Sequence, residues 1–274
     1  MPLDALVIVL AAATLHAFWN LVIARARDTQ AVTALALTIG VAAALPFAIS
    51  RWDVRPEAWP FIALSAALES IYIGLLTAAY QRAEMSLVYP IARGAAPVIV
   101  LLISVLALNS PASLAQVGGV ALVALGVVLV GGMRGAARGS DVALALAVAV
   151  AIASYTLVDQ QGVAFADPVT YVTLILIPAA LLSVAVVTLR GGPGRIRQAL
   201  SPSTVVGGIS SVAAYGLVLM ALALAPAASV AATREVSVVI GTGLAAFVLH
   251  ERVGLARLVG AVVVVAGVAL IVTG

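Results

Sequence analysis

The feature that most constrains this chain is a succession of apolar runs, each roughly 20 residues long, with little sequence left between them. A helix rises about 1.5 Å per residue, so such a run matches a hydrocarbon core about 30 Å thick. Inside lipid no water can satisfy the backbone, and each run must therefore close its own hydrogen bonds as a helix. Only 9% of the residues are charged and 64% are hydrophobic, whereas soluble domains carry about a quarter charged residues. So few charges cannot cover a soluble surface. The chain is predicted to be an all-α polytopic membrane protein.

Proline, glycine and charge clusters divide the sequence into ten spans: Asp4 to Ala24, Ala31 to Ser50, Ala58 to Tyr80, Met85 to Leu108, Leu114 to Gly132, Asp141 to Gln160, Pro168 to Leu189, Thr204 to Ala225, Ala227 to Leu249 and Leu255 to Thr273. Only Met133 to Ser140 and Arg190 to Ser203 read as real loops. Asp4 precedes the first run and no basic leader does, so that run is expected to be a mature span rather than a cleaved signal.

The net charge of +3 is the balance of 14 basic residues, all arginine, and 11 acidic ones. Arg25, Arg27, Arg82, Arg134, Arg138, Arg190, Arg195, Arg197, Arg252 and Arg257 flank the odd-numbered connections, against Arg51 and Arg55 on the other side. Positive residues in short loops stay cytoplasmic. The odd connections are therefore expected in the cytoplasm and both termini in the periplasm, across a bacterial inner membrane. Trp52 and Trp59 fit an aromatic belt at the outer interface. Topology explains the basic balance, and no nucleic-acid partner is expected. There are no cysteines and two histidines, so no disulfide framework, metal site or cofactor is expected.

Sliding the chain by about 141 residues lays Arg93 on Arg234, Leu114 on Leu255, Gly119 on Gly260 and Gly126 on Gly267. Upstream, Tyr72/Tyr215 and Ser86/Ser229 need a slightly longer shift, as if a small insertion opened the ninth span. The sequence thus reads as one integral membrane domain of two repeats, residues 1–136 and 137–274. Five spans per repeat is an odd number, so the second repeat must be inverted relative to the first. Inverted repeats are a mark of alternating-access carriers, which hold substrate near the midplane between the halves.

The runs Val88-Tyr-Pro-Ile-Ala-Arg-Gly-Ala-Ala-Pro97 and Ala232-Thr-Arg-Glu-Val-Ser-Val-Val239, each leading to a span end near Asn109 or His250-Glu251-Arg252, resemble the fourth and ninth helices of the EamA-type drug/metabolite transporter superfamily. The resemblance extends over the whole chain and places it near the ten-helix exporters of amino acids and metabolites. The first repeat departs from the family pattern, with Asn109-Ser110 where a Gly-Glu pair is usual. The resemblance implies a secondary transporter, not an enzyme, and leaves amino acids, nucleotide-related metabolites, sugars and drugs open as substrates.

Charges inside spans are costly and mark functional candidates. Arg93, Arg234, Glu69 and Glu235 are such charges. The two arginines could clamp a substrate carboxylate, whose geometry suits the guanidinium fork. Equally, each could be neutralised by Glu235, Glu69 or backbone carbonyls and lock the helices together. Glu69 could hold a substrate ammonium, titrate, or serve as counter-ion to Arg93, and shares a helix face with Tyr72. Asp159, at the end of the sixth span, reads as a solvated end charge. His16, Trp19 and Asn20 form one face of the first span, and with Tyr155 they are expected to line a cavity. Tyr215, Tyr80 and Tyr89 are weaker members of that group. Pro90 and Pro97 are expected hinges, with Gly241 and Gly243 softening the other half. Gly119, Gly126, Gly260 and Gly267 are expected to pack the fifth span against the tenth.

The resulting expectation is an alternating-access exporter, working as a monomer in the bilayer, of a small zwitterion or anion such as an amino acid. Walker, zincin and nucleophile-elbow motifs are missing from the sequence. The rivals are an intramembrane enzyme acting on lipid phosphates and a passive channel.

Overall fold

The computed structural model describes residues 1–82, 85–131, 138–248 and 254–273. Among them are twelve helices: α1 (Leu3–Ala24), α2 (Thr29–Ser50), α3 (Ala58–Arg82), α4 (Met85–Leu106), α5 (Leu114–Gly131), α6 (Gly139–Gly162), α7 (Pro168–Gly191), α8 (Gly194–Gln198), α9 (Pro202–Leu222), α10 (Ala227–Arg234), α11 (Val236–Val248) and α12 (Leu255–Thr273). The helices α1, α2, α3, α6, α7, α9 and α12 are each long and apolar enough to cross a membrane, and α4 and α5 contribute shorter apolar helices. With α10 and α11 forming one broken span and α8 lying in a connection, the chain is an all-α polytopic membrane protein of ten spans in two inverted repeats.

The spans begin and end where local chemistry permits. Asp28 caps α2 by accepting from the Ala31 amide (3.1 Å), and Asp167 caps α7 by accepting from Val169 (2.9 Å) and Thr170 (3.1 Å). Pro168 and Pro202 occupy first-turn positions, where a missing N–H costs nothing. In the connection after α4, Asn109 takes a left-handed φ of 50°. Asparagine tolerates that region better than other side-chain-bearing residues.

Most packing lies between the repeats rather than within them: α1 lies on α9, α10 and α11, and α6 lies correspondingly on α3 and α4. The α2/α7 and α5/α12 pairs sit on the pseudo-twofold itself. A Cβ on Gly119 would lie 2.7 Å from the Gly267 carbonyl oxygen, and one on Gly126 would lie 2.7 Å from that of Gly260. These glycines let α5 and α12 approach backbone to backbone, the contact that substitutes for hydrophobic driving force in lipid. Gly40 and Gly208 do the same for α2 and α9.

The even-numbered connections tie the repeats together at one face. Val54 and Ala166 form an antiparallel bridge, and Asp167 donates its amide to the Asp53 carbonyl at 2.9 Å. Phe61 stacks on Phe165 at 5.9 Å, and the Arg55 guanidinium lies 5.1 Å over the Phe165 ring. At the opposite face Arg195 of α8 donates to both carboxylate oxygens of Asp28, at 2.7 and 2.9 Å.

Candidate functional site

The ninth span reads as continuous in sequence, yet it breaks at Glu235, which carries neither proline nor glycine. The Glu235 amide donates to the Ala232 carbonyl at 3.1 Å, and the Val238 amide to the Glu235 carbonyl at 2.9 Å. These three-residue spacings tighten the helix for one turn and interrupt its regular ladder. By contrast α4, with Pro90 and Pro97 inside it, remains one helix from Met85 to Leu106. Among the described residues this break in a span lies in the second repeat, beside the charges Arg234 and Glu235.

Arg93 and Arg234 have different environments. Arg93 is 7% exposed and donates its Nε to Glu235 Oε2 at 3.0 Å and an Nη to Ser237 at 3.2 Å. Its charge is met from the other repeat, as the structural alternative required. Arg234 is also 7% exposed, but its Nε finds no acceptor among the described residues, and neither does Glu235 Oε1 find a donor. The asymmetry has a sequence cause. The register that pairs Arg93 with Arg234 pairs Gly94 with Glu235, so α4 offers no carboxylate to return the contact. Gly94 instead lets α4 press on α5, where an added Cβ would lie 3.1 Å from the Ala124 carbonyl oxygen.

Asp159 corrects the sequence reading. It is completely buried and is no solvated end charge. The connection after α6 folds back over it through the Val54/Ala166 bridge, and the Tyr171 ring fills the space that a side chain at Gly162 would need. Its oxygens accept from Ser65 of α3 at 2.5 Å and from the Tyr215 hydroxyl of α9 at 2.6 Å. Glu69, one turn beyond Ser65 and 4% exposed, lies within electrostatic reach of Tyr215, Asp159 and Arg234. Tyr155 bridges this set, with its ring 5.7 Å from Tyr72 and 6.0 Å from Tyr215. Sequence reasoning passed over Ser65 and Ser237 and read Asp159 as an end charge. One signal was available, since the offset relating Tyr72 to Tyr215 also relates His16 to Asp159.

The expected face of the first span divides. His16 lies within electrostatic reach of both Arg93 and Arg234, and Asn20 is half-buried. Trp19 is buried on the side of α9. It packs onto Gly207 of α9, in a cluster with Val32, Ala36 and Val187. A helix face in lipid can be apolar all round, so polarity in sequence could not show that Trp19 serves the interhelical core. The side chains of Tyr80 and Tyr89, and His250 to Arg252, lie outside the described residues.

A cavity of about 540 Å³ opens among the even-numbered connections, lined by Ser104, Ser110, Gln116, Gln160, Gln161 and neighbouring apolar residues. It is distinct from the charge cluster but shares two elements with it. Gln160 follows Asp159 on α6, and Ala228 lies on α10 about 9 Å of helix above Arg234. Between cavity and cluster, Gln116 donates to Ser229 at 2.9 Å and Gln160 to the Ala225 carbonyl at 3.3 Å. The lining is amide, hydroxyl and aliphatic, which suits a wetted passage rather than an ion sink.

Two inverted five-helix repeats enclosing a buried charge cluster, with one span broken beside it, form the architecture in which membrane carriers hold substrate between halves. Comparison with known families agrees. The profile described as the EamA-like transporter family matches residues 4–132 and again residues 140–273, so the chain belongs to that family. Its members are membrane transporters of small substrates. A solved structure described only as the crystal structure of a protein superposes with a TM-score of 0.78 over 98% of each chain, at 19% identity, a likeness of fold. No curated protein sequence matches the chain.

Proposed function

We propose that this protein exports small metabolites bearing a carboxylate, amino acids foremost, by alternating access across the bacterial inner membrane. The observation that carries the reading is Arg234: a guanidinium 7% exposed, whose Nε has no acceptor among the described residues. A guanidinium nitrogen left without an acceptor in the bilayer interior is expensive. A site that keeps one is organised to receive an anion, and the planar fork fits a carboxylate. Glu69 and Tyr155, within electrostatic reach of Arg234, would meet the ammonium end and the side chain of a zwitterion. With the odd connections in the cytoplasm and both termini in the periplasm, the cavity at the even connections is an outward vestibule. The broken ninth span is the element able to move between states. The protein works as a monomer, because Gly119 and Gly126 already meet Gly267 and Gly260 within the same chain.

The test is transport by purified protein in lipid vesicles loaded with a panel of labelled amino acids, nucleosides, sugars and cationic drugs. Saturable, stereoselective flux of amino acids is expected. Selective flux of another group would replace the substrate class, and non-saturating flux would indicate a channel.

A further inference from the structure

At the face of the odd-numbered connections, the two hydrogen bonds from Arg195 to Asp28 hold the α1–α2 connection of the first repeat against the α7–α9 connection of the second. The stem of Arg195 also lies over Gly191, where any side chain would collide with it. Arg27 adjoins Asp28, Arg190 adjoins Gly191, and Arg197 follows Arg195 by two residues. Three further guanidinium groups therefore gather around one contact. All three are exposed, and none has a hydrogen-bond or ion-pair partner among the described residues.

Charge balance makes this gathering costly. The two connections carry Arg25, Arg27, Arg190, Arg195 and Arg197 against the single carboxylate of Asp28, which Arg195 already engages on both oxygens. On the opposite face, Arg51 and Arg55 share their connections with Asp53, Glu57 and Asp167. Holding one side of the protein in the cytoplasm asks for positive charge in the connections, spread among any of them. It does not ask that two connections be pinned together so that like charges crowd, and a crowd of this kind calls for an anion.

The surroundings select the form of that anion. α8 turns Ile196 into the cluster of Trp19, Val22 and Val187, while Arg197 stays exposed. Leu189, beside Arg190, is 87% exposed, and Leu200 is 62% exposed. Leu182 and Leu189 stand seven residues apart on α7 and so lie on one stripe, which leads from Arg190 into the span. A soluble phosphate would use the guanidinium groups alone. A phospholipid uses both features, with its phosphate at the arginines and an acyl chain along the leucines.

We propose that Arg27, Arg190 and Arg197 form a binding site for the phosphate of an anionic glycerophospholipid, whose acyl chain runs along Leu189 and Leu182. Guanidinium forks match phosphate oxygens, and basic pockets at the ends of spans are where anionic headgroups bind. Arg27 comes from the first repeat and Arg190 and Arg197 from the second, so the headgroup spans the repeat boundary beside the Asp28–Arg195 pair. Its binding relieves the crowding of charge and steadies the two connections against each other. The site is independent of which substrate the carrier moves.

Native mass spectrometry of the purified protein, titrated with phosphatidylglycerol or with phosphatidylcholine of identical acyl chains, tests the site. Each surface arginine contributes on the order of fivefold in affinity for anionic lipid, so wild type should prefer phosphatidylglycerol by about tenfold or more. The preference should vanish in the triple variant Arg27→Gln/Arg190→Gln/Arg197→Gln and persist in Arg51→Gln, on the other face. Phosphatidylglycerol should also raise the melting temperature of wild type above its value in phosphatidylcholine, and not that of the triple variant. Phosphatidylglycerol with a diazirine near the head of its acyl chain should label the peptide from Leu182 to Leu200. The labelling needs only wild type, so it decides the matter even if the triple variant does not fold. Equal wild-type affinities, a preference that survives in the triple variant, or labelling confined to other spans would overturn the proposal. So would displacement of phosphatidylglycerol by millimolar glycerol 3-phosphate, which would make this a site for a soluble phosphate.

Discussion

Arg93 of α4 and Glu235, at the break between α10 and α11, form a buried ion pair of 3.0 Å whose partners come from different repeats. Because α10 and α11 meet at Glu235, this contact fixes the broken span against the first repeat. Removing either partner leaves the other charge buried without this ion pair.

Arg93→Gln or Glu235→Gln should therefore lower stability by about 3–5 kcal/mol, and the double variant should recover most of that loss. Thermal melting in detergent measures it. Additive losses in the double variant would mean that the pair is not coupled.

Arg234→Gln should behave in the opposite way. It removes a charge whose Nε has no acceptor among the described residues, so melting should stay near wild type or rise. Losing a charge-assisted hydrogen bond to substrate costs about 1.5–3 kcal/mol, and KM for flux should rise roughly ten- to hundred-fold. Arg234→Lys keeps the charge and loses the fork, so it too should be impaired. Unchanged flux in both would remove Arg234 from the site.

Gly126→Ala sets a Cβ 2.7 Å from the Gly260 carbonyl oxygen. Such overpacking costs about 1–3 kcal/mol, because α5 and α12 must separate. At Gly74 of α3 an added Cβ would meet nothing within 4 Å, so alanine there should be neutral or stabilise by about 0.5–1 kcal/mol. Equal melting temperatures for the two variants would argue against close α5/α12 packing.

Outside the spans, hydrogen bonds from Arg195 hold the Asp28 carboxyl below its ordinary range. A depressed folded value means that the pair stabilises the protein above the unfolded value, about 3.9. That contribution disappears as pH falls through the lower folded value. Both side chains are partly exposed, so the effect is small and salt-sensitive. Asp28→Ser keeps an acceptor for the Ala31 amide and loses the ion pair. Its melting temperature should fall less than that of wild type on acidification, and an identical acid response would exclude the pair as its source.

A reporter fused after Gly274 should read as periplasmic, and one placed between α7 and α9 as cytoplasmic, following the ten arginines that flank the odd connections. A cytoplasmic C-terminus would reverse the orientation and turn the cavity into an inward vestibule.

The spans, their number and the duplication were legible from residue order, because crossing a bilayer is a local demand on length and polarity. The α12 bounds match the expected Leu255 to Thr273, and α5 begins at Leu114 as expected. What each side chain does inside the membrane was not legible in that way. In water, the polar face of a helix points outward and marks the core by contrast. In lipid both faces are apolar, so Trp19 against Gly207 and Asp159 beneath the folded connection could be placed only by knowing which helices meet. The same holds for the arginines, which the duplication presents as equivalent. Only tertiary structure gives Arg93 a carboxylate across the repeat boundary and leaves the Arg234 Nε without one, because Gly94 stands where symmetry would require a carboxylate for Arg234.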